Sequence, residues 1–290
     1  MALPSPEEEF PDNLWFRVEM NGAQLFQKAL RPLFQSAYSD KEYPEEMFLA
    51  GKIHDDGLMS ISKTDGVSLA SKATFPSTVY TTLSLPISSF TQFRCRQDRL
   101  LRLHLGLLEH RINATVGGYD SDDDVSIRFS GESTNYNTLI YGVRDGGVDG
   151  AELETSEIAL MNSKPGRVVG PVSKYQLSIE MPAETFMQLI DFLSLYGSAV
   201  KATVTNTQIM FCVVNKEVVL REEAERYKIV HSAGQYPYLL EFGLDQKSAF
   251  LNAAILSNIV RLHQLTDSRT VLEVPISALG SLMFYSKLRQ

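Results

Sequence analysis

Residues 18–33 read Val18-Glu19-Met20-x5-Phe26-x3-Leu30-x2-Leu33, and residues 179–193 read Ile179-Glu180-Met181-x4-Phe186-x3-Ile190-x2-Leu193. A one-residue slip after the methionine aligns them. In both, a short extended run meets apolar residues at helical spacing, so each reads as strand then helix. A second echo follows each copy. Leu100-Leu101-Arg102-Leu103 leads into an apolar-periodic stretch to Thr115, and Leu239-Leu240-Glu241-Phe242 leads into another to His263. Each copy is strand–helix, then strands, then strand–helix. A repeat unit longer than about 100 residues exceeds any solenoid period, so the chain is expected to hold two similar domains related by pseudo-symmetry.

Composition agrees with two cores. The chain has 290 residues, 44% of them hydrophobic, enough apolar side chain for two ordinary domains. Its formal net charge of −8 argues against a surface coated in basic residues. Cys95 and Cys212 lie far apart in apolar runs and read as buried free thiols. No stretch approaches the ~18 consecutive apolar residues of a membrane helix. The start, Met1-Ala2-Leu3-Pro4-Ser5-Pro6-Glu7-Glu8-Glu9, is acidic and proline-rich, unlike a secretory signal. A soluble intracellular protein is the expectation.

Along the chain, residues 1–13 read as a disordered leader and Leu14–Met20 as a strand. Gly22–Ser36 reads as a helix that Pro32 kinks or delays. Residues 38–57 read as a loop or an added hairpin. Leu58–Ser62 and Val67–Ser71 form a hairpin around Asp65-Gly66, and Thr78–Leu85 is a further strand. Leu100–Leu105 is a strand and Leu107–Thr115 a short helix. The acidic cluster 120–124 is a turn before the strands Val125–Phe129 and Leu139–Val143. In the second copy, Ala183–Tyr196 is an amphipathic helix, and Ala199–Thr205 with Gln208–Val214 a hairpin. Ser248–Leu265 reads as one helix, followed by two final strands. Gly/Pro-rich residues 162–172 make the best linker. The expected organisation is a first domain over 14–157, a connector over 158–174 and a second domain over 175–290. The fold class is α+β.

No dinucleotide fingerprint, P-loop, paired CxxC or HExxH is present, and the five histidines do not cluster in sequence. The acidic 120–124 run lacks the glycine and distal glutamate of an EF-hand. No catalytic constellation, metal or cofactor is expected, and the protein is read as a non-enzyme. Charge placement is the positive clue. Gly22–Ser36 carries Lys28 and Arg31 and no acid. The second helix carries His110 and Arg111 against Glu109. Lys247–His263 carries Lys247, Arg261 and His263 and no acid. Ala183–Tyr196, with Glu184 and Asp191, breaks the trend. If the helices share a face, that face is positive on an acidic protein, which suits phosphate-backbone contact without sequence reading.

These residues resemble the DNA sliding clamps of the proliferating cell nuclear antigen family over most of 14–290. Asp65-Gly66-Val67-Ser68-Leu69-Ala70-Ser71 is similar to that family's Ser-Gly-Val-x-Leu-x-Ser hairpin, and Phe93-Arg94-Cys95 to its Tyr-Arg-Cys stretch. Glu157-Ile158-Ala159-Leu160-Met161 is similar to the opening of its interdomain connector. Met181-Pro182 with Phe186, Leu193 and Gly197-Ser198-Ala199-Val200 resembles its third helix. Ile276, Leu279-Gly280, Leu282 and Phe284-Tyr285 resemble its final strands.

The resemblance implies two domains of equal topology, each with two helices packed on antiparallel sheets. Three chains would close into a ring whose helices line a hole for double-stranded DNA. Such a protein is a nuclear processivity factor, tethering DNA polymerase and repair enzymes and catalysing nothing itself. DNA contact would fall to Lys28, Arg31, Arg99, His110, Arg111, Lys201, Arg261 and His263. Clamp-binding peptides would meet Ile158, Leu160 and Met161 beside an apolar pocket. The region after Leu265 reads about one strand short of the family pattern. The other readings are a subunit of a heterotrimeric checkpoint clamp, a non-ring viral processivity factor, and an α+β scaffold without DNA contact.

Overall fold

A computed structural model describes residues 12–38, 56–72, 80–117, 125–132, 137–145, 152–161, 174–221 and 226–286. Residues 1–11 of the expected leader 1–13, residues 39–55 of the loop or hairpin expected over 38–57, the acidic cluster 120–124 and the Gly/Pro-rich 162–172 lie outside the described residues.

The first copy runs β1 (Leu14–Asn21), α1 (Ala23–Tyr38), β2 (Asp56–Ser62), β3 (Gly66–Lys72), β4 (Tyr80–Leu85), β5 (Gln92–Cys95) and β6 (Arg99–His104). It continues with α2 (Leu105–Val116), β7 (Val125–Glu132), β8 (Thr138–Asp145) and β9 (Glu152–Ala159). The second runs β10 (Tyr175–Pro182), α3 (Ala183–Ser194), β11 (Ala199–Val204), β12 (Gln208–Val213), β13 (Lys216–Arg221), β14 (Lys228–Ser232) and β15 (Tyr238–Gly243). Then come α4 (Lys247–Ala254), β16 (Ile259–Leu265), β17 (Thr270–Ile276) and β18 (Gly280–Tyr285). The element order is the same in both halves.

Strand pairing repeats as well. β5-β1-β7-β8-β9 form an antiparallel sheet in the first half, and β14-β10-β16-β17-β18 form its counterpart. β4-β3-β2-β6 and β13-β12-β11-β15 form the second matched pair. β18 pairs with β4, from Tyr285↔Tyr80 to Ser281↔Ser84, and this junction fuses one sheet of each half into nine strands. The repeated motif now has a physical meaning. Phe16, Val18 and Met20 face the core from β1, and Leu177, Ile179 and Met181 do so from β10. Phe26, Leu30 and Leu33, matched by Phe186, Ile190 and Leu193, bury the helices on those sheets. Each such side chain contributes roughly 1.5–3 kcal/mol by leaving water.

The hairpin turn at Asp65-Gly66 is as expected. Gly66 has φ +93°, and a Cβ there would lie 2.2 Å from the Leu85 carbonyl oxygen, so the position demands glycine. Helix α1 continues through Pro32 to Tyr38.

One expectation fails. The helix expected over 248–265 ends at Ala254, and 259–265 is the strand β16. Ser257 N–H closes onto the Ala254 carbonyl (3.1 Å), so the chain turns over residues 254–257. Ile259, Val260 and Leu262 satisfy helical spacing and strand alternation equally, so periodicity alone does not separate them. β16 also supplies the strand that the sequence pattern leaves out of the C-terminal region. Three strands follow α4, as three follow α2.

Candidate nucleic-acid interface and subunit edges

The four helices stand side by side in the order α2-α1-α4-α3. Across the centre of the row, Asn252 Nδ2 donates to Gln35 Oε1 (2.7 Å), and the Gln246 amide donates to the Ser36 carbonyl. Lys28 and Arg31 are exposed on α1, one turn apart, and His110 and Arg111 are exposed on α2. These four residues share the helical layer.

The other four residues expected to contact DNA, of which Arg261 and His263 are expected on a helix, all stand on strands. Arg261 and His263 are on β16, on the face opposite the core residues Val260 and Leu262. Arg261 Nε pairs with Glu180 (3.0 Å) and its Nη1 with Glu273 (3.8 Å). His263 is 3% exposed, its Nδ1 is 2.7 Å from Ser178 Oγ, its Nε2 is 2.8 Å from Glu273, and Tyr175 stacks on its ring at 4.1 Å. Burial opposes ionisation of Glu273, but the hydrogen bond from His263 and the charges of His263 and Arg261 outweigh it and hold the carboxyl below its ordinary range. This network belongs to the sheet. Lys201 lies across from Glu241 (3.5 Å), also facing away from the core. Arg99 stacks over Trp15 (3.9 Å) and donates to Gln97 (3.0 Å). On α4 the remaining cation, Lys247, is paired with Asp191 of α3 at 2.8 Å. Positive charge on the helical layer is therefore concentrated on α1 and α2.

The residues expected to meet partners divide similarly. Ile158 lies within β9, opposite Leu139, and is fully buried. Leu160 and Met161 follow the strand and are half-buried. Their N–H groups donate to the Asn137 and Arg102 carbonyls (2.6 and 2.9 Å). A separate apolar cluster lies on the outward face around β18, where Leu265, Val271 and Tyr285 pack with Tyr80, Tyr175 and Met283.

The sheet edges carry a signal that sequence reading did not reach. Among the described strands, β5 and β14 are matched free edges, as are β6 and β15. β4 and β18 pair with each other. Their counterparts, β13 and β9, have no partner strand among the described residues. β9 carries Glu152, Glu154 and Glu157 and no basic residue, whereas β13 carries Lys216 and Arg221 against Glu217. Beside β13, the end of α3 presents Phe192, Leu195 and Tyr196, which are 41%, 74% and 39% exposed. Lys216 Nζ lies 5.3 Å from the Tyr196 ring centroid. Of their counterparts in the repeat, Pro32, Gln35 and Ser36, the last two are bonded across to the start and body of α4. In one half this helix end is covered by α4, and in the other it stands open.

No protein-family model matches the chain. Proliferating cell nuclear antigen of Caenorhabditis elegans is 25% identical over 210 residues, covering 70% of this chain and 77% of that protein. This chain is a distant relative of the sliding clamps. Two-domain clamp topology accounts for the duplicated element order, the matched sheets and the shared helical layer of this clamp relative. Among its described residues no helix is long and apolar enough to span a membrane, and no group of three potential ligands could hold a metal ion.

Proposed function

We propose that this chain is a DNA sliding clamp, a ring of three copies that encircles duplex DNA and tethers polymerase and repair enzymes in the nucleus. The carrying observation is the pair of unlike free edges. β18 joins β4 within the chain, and β9 is left to join β13 of the next copy by the same kind of pairing. An unpaired sheet edge is a template for another strand, and a head-to-tail contact repeated by rotation closes a ring. Acidic β9 and net-basic β13 are complementary in charge, and Phe192, Leu195 and Tyr196 supply the apolar contact that such a junction needs. Sedimentation velocity at micromolar concentration tests this directly. A species of three chains is expected, and a strict monomer overturns the ring.

DNA contact in this reading falls on Lys28, Arg31, His110 and Arg111. Binding is expected to be weak, independent of sequence and sensitive to salt. Removing one cation that touches phosphate should flatten the log–log salt dependence by about 1. In Lys28→Glu/Arg31→Glu the slope should fall by roughly 2 per subunit engaged, measured by anisotropy on duplex DNA. An unchanged slope removes the helical layer as the DNA face.

Partner capture falls on Leu160 and Met161, which leave β9 half-covered and bear the apolar surface that a peptide aromatic needs. Leu160→Ser is expected to abolish calorimetric binding of a glutamine-led, aromatic-ended peptide while the protein still assembles. Unchanged binding by a folded variant, or none by the wild type, overturns this part.

A further inference from the structure

The hairpin that joins β12 to β13 turns on two residues, Val214 and Asn215, since Val213 pairs with Lys216. Val214 has φ +51°, and Asn215 is not in the left-handed region. A two-residue turn with positive φ at its first position alone follows the type II′ pattern, in which that position belongs to glycine. A β-branched side chain crowds its own backbone there, so valine is strained where glycine is at ease. Among the described residues, the other non-glycine positions with positive φ are Ser268 and Ser277, which are small and unbranched.

The single chain gains little from the valine in return. Val214 is 74% exposed, so folding takes little of its surface out of water. Its neighbour Val213 is the residue that buries the hairpin end in the core. The turn is nonetheless held in a definite place. A Cβ on Gly197 would fall 2.8 Å from Val213 Cγ1 and 3.3 Å from Val214 Cγ2, so the turn lies directly on the chain leaving α3. Val214 thereby extends the exposed apolar surface of Leu195 and Tyr196, and the Tyr196 ring continues it to Phe192 at 5.2 Å. The matching helix end in the first half, at Gln35 and Ser36, is bonded to α4 of the same chain. The helical row has α3 at one end and α2 at the other. Joining β9 of a second copy to β13 brings that copy's α2 to the open end of the row, where α3 and the Val214 turn stand.

We infer that Val214 is an anchor for a second copy of this chain, and that the turn bears backbone strain in the single chain in order to present an apolar side chain at the junction. The inference rests on the ring proposed above and adds to it a residue outside both the strand pairing and the helix. Backbone strain persists where a function retains it. Relieving it should therefore move folding and association in opposite directions, which an ordinary surface position does not do.

Two substitutions separate strain from contact. Val214→Gly relieves the strain and removes the side chain. Val214→Thr keeps the β-branched shape, and with it the strain, but puts a hydroxyl in place of a methyl. Melting is measured in a Phe192→Ser/Leu195→Glu background, which reports the single chain. There Val214→Gly is expected to melt about 2 °C higher and Val214→Thr within about 1 °C of the parent. In the otherwise unchanged protein, sedimentation velocity over a concentration series should show association weakened about tenfold by Val214→Gly and about threefold by Val214→Thr. If the wild type assembles and either variant assembles equally well, Val214 is not an anchor and the ring still stands. A lower melting temperature for Val214→Gly means that the turn is unstrained, which also overturns the inference. A wild type that stays monomeric removes the ring and this inference together.

Discussion

If the proposed ring is right, Phe192→Ser/Leu195→Glu is expected to sediment as a monomer of 32.4 kDa at concentrations where the wild type assembles. Both residues lie at the end of α3 and are open to solvent in the single chain, so their replacement should leave folding almost untouched. In the assembled state the glutamate would be buried against the neighbouring copy without a partner. An unpaired buried charge costs several kcal/mol, and 1.4 kcal/mol is tenfold in affinity, so association should weaken by more than about 100-fold. The control is the melting temperature, which should stay within about 2 °C of wild type. If the variant assembles as wild type does, the α3 end and β13 do not form the junction.

The second large effect is expected at Gly280, the first residue of β18. Its φ is +130°, and a Cβ would fall 2.0 Å from the Ser84 carbonyl oxygen on β4. The clash is with backbone, which cannot swing aside as a side chain does. Gly280→Val should therefore either push β18 off β4 or force both strands apart, at a cost of about 3 kcal/mol or more. Denaturant titration of the monomeric Phe192→Ser/Leu195→Glu background isolates this cost from assembly. A change below about 1 kcal/mol would mean that the junction between the halves relaxes freely. Leu279 next to it is buried but tolerates conservative exchange, so Leu279→Met serves as the matched control, with a cost below about 1.5 kcal/mol.

Much of the fold is legible in the sequence because its strongest signals are local and occur twice. Alternation on β1 and β10, helical spacing from Phe26 and Phe186, and the Asp65-Gly66 turn each depend on a few neighbouring residues. The failure at Ile259–Leu265 has the same root. A short run rich in apolar residues satisfies both periods, and only the turn over residues 254–257 separates them. That ambiguity places Arg261 and His263 on a helix they do not occupy, and it makes the C-terminal region look a strand short. The candidate DNA face is legible only in part. Lys28, Arg31, His110 and Arg111 are set by helix positions readable from spacing, whereas Lys201 and Arg99 need a sheet face or a stacking partner to place them. The edge pairing is beyond reach, because which strand lies unpaired depends on contacts distant in sequence. Comparing the two copies residue by residue exposes one clue, the exchange of Gln35 and Ser36 for Leu195 and Tyr196.

The unlike character of β9 and β13 has a further consequence. In the proposed assembly, where each β9 meets a neighbour's β13, the angle between the two edges of one copy sets how many copies close the circle. Growth stops only when the last edge meets the first. Every copy then points the same way round, and the finished object has a front and a back that are chemically different. Anything captured at Leu160 would then be held at an equivalent place and in the same orientation on every copy of that ring.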